Sequence, residues 1–325
     1  MTALSGLASP ALDIARVASR LTGIHAATVA PLRPDLALDE QALSEHVAFV
    51  AAHDGIEGLL INGHAGENFL LTREEKRRVI EICRETLGPD VFLTSGVNVE
   101  SSLAAAAEAA EAEQAGADAI LLFPPNAWGL FRDRGAATLH HQHAMSRCSL
   151  PFLLYQAPVG AGAMPYDDET LAELVALPRV AGIKEGSWEV ATYEEKRRLV
   201  KALRPDIAVL GSGDEHLLTS YLIGSEGSQV SLAAVTPEPL VRLWRAASAG
   251  LWEEARHWHD VIYPLACAVY RAAPGGRATP RLKACLKILG RLACDAARPP
   301  FMPLPKEEYR VLERALDHVH REVAA

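Results

Sequence analysis

The chain has 325 residues, 49% of them hydrophobic and 22% charged, with a mean hydropathy of +0.06. This is the composition of a globular protein, long enough for one large domain or two small ones. A formal net charge of −9 argues against sequence-independent binding to nucleic acid or an anionic membrane, and no apolar run approaches the roughly 20 residues of a membrane span.

In chain order, Met1–Leu21 lacks a basic start followed by an apolar core, so it does not read as a secretory signal. It reads as an extension, with a short helix near Ala11–Leu21 laid on the main domain or on a partner subunit. The five cysteines (Cys83, Cys148, Cys267, Cys285, Cys294) are scattered without metal-ligand spacing. Their odd number favours reduced thiols that fill core space, and a cytoplasmic location is expected.

From residue 22 onward, β-prone apolar runs centre near Ile24, Leu60, Phe92, Leu121, Leu153, Ile183, Val209 and Val230. They recur about every 29 residues with helix-like segments between them, the length of one βα unit. Eight such units within about 230 residues predict a (β/α)8 barrel over 22–249. An open doubly wound sheet could alternate in the same way, but eight regular parallel strands favour closure. Thr72 and Glu75 form a capping box, and Ser101 or Ser102 caps the Ala/Glu-rich helix Ser101–Ala115. After Pro237 the strand pattern stops. Leu240–Ser248 reads as the eighth helix. Leu251–Arg271, Pro280–Leu292 and Lys306–Val323 then form a C-terminal helical domain over 250–325.

In such a barrel the reacting groups come from the C-terminal ends of the strands. Strand six, with Val180, Ala181 and Ile183, ends in Lys184. Burial there would disfavour the ammonium form, and a neutral amine can attack a carbonyl carbon to form a Schiff base. A charged residue also often ends a strand simply because it reaches water. Strand five ends in Tyr155, beside Lys184 in a barrel, and carbinolamine breakdown needs such a proton shuttle. After strand two, Gly63-His64-Ala65-Gly66-Glu67 can turn successive N–H groups toward a carboxylate. His140, His141 and His143 sit on one helix and cannot all face one metal ion. Asp214 and Glu215 read as caps at a helix start. Arg132 and Arg134 read as solvated, or as contacts for the far end of a polar substrate.

These motifs resemble the dihydrodipicolinate synthase/N-acetylneuraminate lyase family: Gly-x-x-Gly-Glu after strand two, Tyr-x-x-Pro after strand five and Gly-Ile-Lys-Glu on strand six. Ala26-Ala27-Thr28-Val29-Ala30-Pro31, Gly116-Ala117-Asp118-Ala119-Ile120 and Gly213-Asp214-Glu215 support the resemblance, which runs from about Gly23 to Pro237. It implies a (β/α)8 barrel with a C-terminal helical domain, usually tetrameric or dimeric. It also implies a class I lyase that holds pyruvate or another 2-keto acid on Lys184 without metal or cofactor. On this resemblance Lys184, Tyr155 and His64 are the catalytic set, and substrate contacts fall on Ala65, Gly66, Asn126, Gly213 and Val230.

The chain also departs from the family. His64-Ala65 stands where the family has Thr-Thr or Ser-Thr, whose first hydroxyl relays protons. Pro124-Pro125-Asn126 replaces Pro-Tyr-Tyr, Gly160 falls where the synthase carries an arginine, and Val235 where an asparagine is common. The expectation is a Schiff-base lyase joining or splitting a 2-keto acid and an aldehyde, distinct from dihydrodipicolinate synthase itself. Two alternatives stand beside it: a hydro-lyase acting on a 2-keto-3-deoxy sugar acid through the same lysine, and a keto-acid-binding protein without turnover. His64, as an ordinary imidazole, would take over the proton relay and show a pH limb near neutrality.

Overall fold

The structure, a computed structural model, describes residues 14–324. The first part of the helix expected at Ala11–Leu21 lies outside the described residues. Eight short parallel strands close into one barrel in sequence order: β1 (Gly23–Ala27), β2 (Ile56–Ile61), β3 (Phe92–Val97), β4 (Ala119–Leu122), β5 (Phe152–Gln156), β6 (Val180–Glu185), β7 (Ala208–Gly211) and β8 (Gly227–Val230). Before them runs α1 (Ile14–Arg20). Around them run α2 (Glu40–Ala51), α3 (Arg73–Leu87), α4 (Ser102–Gln114), α5 (Ala136–Met145), α6 (Asp168–Val175), α7 (Val190–Leu203), α8 (Leu217–Ile223) and α9 (Pro237–Ser248). The C-terminal part comprises α10 (Trp252–Ala266), a π-helical turn (Cys267–Arg271), α11 (Ala278–Ile288) and α12 (Lys306–Ala324).

Local signals in the chain account for several of these boundaries. The Thr72 hydroxyl accepts from Glu75 N at 3.2 Å while the Glu75 carboxylate accepts from Thr72 N at 2.9 Å, the reciprocal capping box that starts α3. The Ser101 hydroxyl caps α4 by accepting from Ala104 N. Because strand side chains alternate, Ile24 and Ala26 pack outward against the helices while Ala27 joins Leu60, Leu121, Leu153 and Leu210 inside the barrel. Most strand residues are buried on both faces, so runs such as Ala119–Leu122 on β4 read as continuously apolar. Below this interior, Leu21 is fully buried with Phe92, Ala119 and Ala208, and Ile14 and Val17 of α1 pack against the same cluster. The short helix thus plugs the N-terminal end of the barrel.

The C-terminal helices are bound to the barrel through the loop after β2. Glu67 and Lys283 are both fully buried and paired, and Lys283 also donates to Ala296 O at 2.8 Å. The second Glu67 oxygen accepts from Arg298 N at 2.9 Å. Arg298 in turn holds the Leu36 and Leu70 carbonyls and pairs with Glu75.

Removing one partner of a buried pair leaves an uncompensated charge, which costs about 3–5 kcal/mol. Lys283→Met is expected to lose that much in urea unfolding at pH 7. A loss below about 1 kcal/mol, the range of solvent-screened pairs, would contradict this placement.

Candidate active site

At the C-terminal face of the barrel the strand ends surround a cavity of about 310 Å³. Its lining brings together His64 and Ala65 from the β2 loop, Tyr155 from β5 and Lys184 from β6. Parallel pairing sets Tyr155 directly opposite Lys184, and the amine lies 6.0 Å from the centre of the phenol ring. Burial lowers the Lys184 pKa to about 8, partly offset by the charge of Asp214. Burial acts oppositely on Tyr155, raising its pKa so that the phenol stays protonated.

His64 opens a short 3-10 turn, His64–Gly66, that Glu67 closes in a left-handed conformation (φ 56°). The Glu67 N–H bonds back to His64 O at 3.1 Å, and the Thr279 hydroxyl of α11 donates to the same carbonyl at 3.2 Å. Asn62, just upstream, also has a positive φ (51°), and its carbonyl sits where a Cβ on Gly96 would fall, at 2.1 Å. Only glycine on β3 permits this approach. The His64 ring packs 4.3 Å from Phe123 and 5.5 Å from Tyr155, with Asn98 Nδ2 3.5 Å from its Nε2. Burial, reinforced by the Lys184 charge, lowers the His64 pKa to about 3. The imidazole is therefore neutral throughout the working range, and the near-neutral limb expected of an unperturbed histidine does not belong to it.

The other four candidate residues lie outside the cavity lining. Gly66 is buried against the Thr28 carbonyl. Asn126 is exposed on the β4 loop, where its N–H and that of Ala127 are held by the Glu100 carboxylate. Gly213 lines a smaller neighbouring cavity with Glu185 and His216. Val230 faces the helices, and one residue earlier Gln229 turns inward. Gln229 is fully buried with both amide atoms unpartnered.

Asp214 does not cap its own helix. It is buried on the cavity wall, accepts from Leu232 N at 2.9 Å, and has its pKa raised by burial to about 6. The Tyr270 hydroxyl stands near Asp214 and Ser231 without closing a hydrogen bond to either. Trp188 and Ser212 complete that side. Arg132 is not solvated: its guanidinium lies over Trp128 and Tyr166, away from the cavity. Among the described residues no group of three or more His, Cys, Asp or Glu side chains is arranged to hold a metal ion. His140 instead bonds Ser102, and His141 bonds the Ala137 carbonyl and Tyr166.

An eight-stranded parallel barrel that sets a buried lysine near the end of its sixth strand opposite a buried tyrosine has the architecture of a class I, Schiff-base type of lyase. The profile described as the dihydrodipicolinate synthetase family matches residues 20–319, and the chain belongs to that family. The 4-hydroxy-tetrahydrodipicolinate synthase of Methanothermobacter thermautotrophicus is 31% identical over 247 residues, 76% of this chain and 86% of that protein. The enzyme of the same name from Methylobacterium radiotolerans is 29% identical over 92% of this chain and 96% of its own length. The crystal structure of the dihydrodipicolinate synthase of Agrobacterium tumefaciens superposes with a TM-score of 0.82 at 28% identity. That superposition covers 94% of this chain and 100% of that one.

The lowered Lys184 pKa predicts a pH profile for imine formation. The reactive free amine accumulates as pH rises through about 8, so the rate of keto-acid adduct formation should climb toward that pH and level above it. His64→Ala should leave the limb in place, because the imidazole does not titrate there. Stopped-time borohydride trapping across pH 5.5–9.5, roughly the range spanning these groups, reads both outcomes.

Proposed function

We propose that the protein makes or breaks a carbon–carbon bond between pyruvate or a related 2-keto acid and an aldehyde, through a Schiff base on Lys184. The observation that carries this reading is the pairing of a readily deprotonated amine with a protonated phenol on adjacent strands, facing one cavity. The neutral amine adds to the keto carbon. Tyr155 then gives a proton to the departing hydroxyl, and water leaves as the iminium forms. Asp214, coupled to Lys184 and ionised above about pH 6, balances the iminium charge. Loss of a proton from C3 yields the enamine that attacks the aldehyde carbon, and water then frees the lysine.

At the start of the 3-10 turn, the N–H groups of His64 and Ala65 bond no backbone carbonyl among the described residues and supply donors for the keto-acid carboxylate. His64, as a neutral imidazole beside Tyr155, can pass a proton between its two nitrogens without charging. Association of identical subunits into a dimer or tetramer is part of the proposal, and Leu130 and Phe131 on the β4 loop offer exposed apolar surface for it. A second reading is dehydration of a 2-keto-3-deoxy sugar acid. Ser212, Ser231 and Thr279 on the lining favour it, because they can meet sugar hydroxyls. Pyruvate plus an aldehyde as products, against a dehydrated keto acid, separates the two.

Pyruvate with borohydride is expected to add a stable mass at Lys184, and Lys184→Ala to abolish both label and turnover while staying folded. A label on another lysine, or none with any 2-keto acid, would overturn the covalent mechanism. Condensation with aspartate semialdehyde is expected to be negligible. Gly160 opens onto free space, and among the described residues no arginine lines the cavity to make a charged contact worth roughly 1.5–3 kcal/mol. Turnover of about 1–1000 per second with that aldehyde would refute this.

A further inference from the structure

Two aromatic side chains on the cavity wall are held by unusual backbone. Trp188, in the loop after β6, has φ +59°, a conformation seldom adopted by bulky side chains. Such strain persists only where the surroundings impose it, and it concentrates at ligand sites. Tyr270 stands on the π-helical turn that follows α10, another irregularity frequent at functional sites. The two rings, from opposite parts of the chain, meet at 5.2 Å between centroids and 49° between planes. Both line the cavity that holds Lys184. Trp188 follows Lys184 by four residues in the loop beyond the strand end, so the pair shares the cavity with the amine and offers a surface for a second substrate.

The rest of the lining sets the charge that this second substrate can carry. Leu60, Pro158, Ala278 and Leu282 give the cavity further apolar surface. Among the described residues on the lining, Lys184 is the sole cation, and it is committed to the keto acid. Asp214 supplies a carboxylate on the same wall. The nearby arginines are engaged elsewhere: Arg132 over Trp128, Arg134 with Glu169, and Arg271 with Glu215. An acceptor bearing its own carboxylate would meet no partner here and one like charge. A flat, uncharged ring would meet two aromatic faces.

Building on the lysine chemistry proposed above, the geometry points to an aromatic aldehyde as the acceptor substrate, bound against Trp188 and Tyr270. In the joining direction the C3 carbon of the pyruvate enamine bonds to the aldehyde carbon. The aldehyde oxygen takes up one proton, and water releases the lysine amine. The product is a 4-aryl-4-hydroxy-2-oxobutanoate, formed without oxidant or reductant. Cleavage is the same sequence reversed.

The test measures condensation of pyruvate with benzaldehyde, glyceraldehyde and aspartate semialdehyde by wild type, Trp188→Gly and Trp188→Phe, alongside borohydride trapping with pyruvate. Wild type should favour benzaldehyde over glyceraldehyde in kcat/KM by at least about tenfold. In Trp188→Gly that preference should collapse, chiefly through the KM for benzaldehyde, and Trp188→Phe should retain most of it. Glycine accepts the backbone angle at 188 without strain, so the variant is expected to fold. Preference for glyceraldehyde or the semialdehyde, or an unchanged preference in Trp188→Gly, overturns the inference. If pyruvate labels Lys184 but benzaldehyde is not consumed, the acceptor assignment fails and the lysine chemistry stands. If no label forms, both fall.

Discussion

The buried pair of Glu67 and Lys283 is the contact on which the site depends. Neither side chain is exposed, so each charge is tolerable only because the other neutralises it and because backbone groups complete its hydrogen bonds. The pair joins two distant stretches of chain. Glu67 closes the turn that presents His64 and Ala65, while Lys283 lies on α11, the helix whose Thr279 and Leu282 line the same cavity. The C-terminal helices therefore form one wall of the active site as well as packing on the barrel.

Within that enclosure the electrostatics are a balance of opposed terms. Burial favours the neutral form of every titrating group, which frees the Lys184 amine, keeps Tyr155 protonated and raises Asp214. The mutual attraction of Lys184 and Asp214 pulls the other way. The amine is consequently held near the pH at which it can both bind a proton and lose it, as reversible imine chemistry requires. His64 is shifted too far by the same burial to take part as an acid in solution terms. Its usefulness lies in a neutral ring packed between Phe123 and Tyr155.

The barrel was legible because βα repetition is a long-range regularity. All eight expected strand centres fall within observed strands, with Phe92 and Val230 at the strand ends. Lys184 and Tyr155 were legible because a strand end fixes where a side chain emerges. Val230 illustrates the limit of that reasoning: a one-residue difference in register exchanges the two faces of a strand, so Gln229 faces the cavity instead. Asp214 carried the signature of a helix cap, and only the fold shows it bonded to Leu232 and set near Lys184. Trp128 and Tyr166, from two separate loops, bury Arg132 that sequence alone left in solvent. Tyr270 enters from beyond the barrel, and nothing in local sequence ties it to the strand-six loop.

The plug that α1 makes at the opposite end of the barrel constrains the order of events. Ile14, Val17 and Leu21 pack into that end, so the substrates of the proposed reaction would reach Lys184 from the C-terminal face, where the cavity lies. Lys184 lies on β6 and Trp188 in the loop that follows it, so an aldehyde resting on Trp188 would cover the approach to the lysine from the loop side. In the proposed reaction the keto acid would therefore bind first and the aldehyde second, and on cleavage the aldehyde would leave before the lysine is cleared.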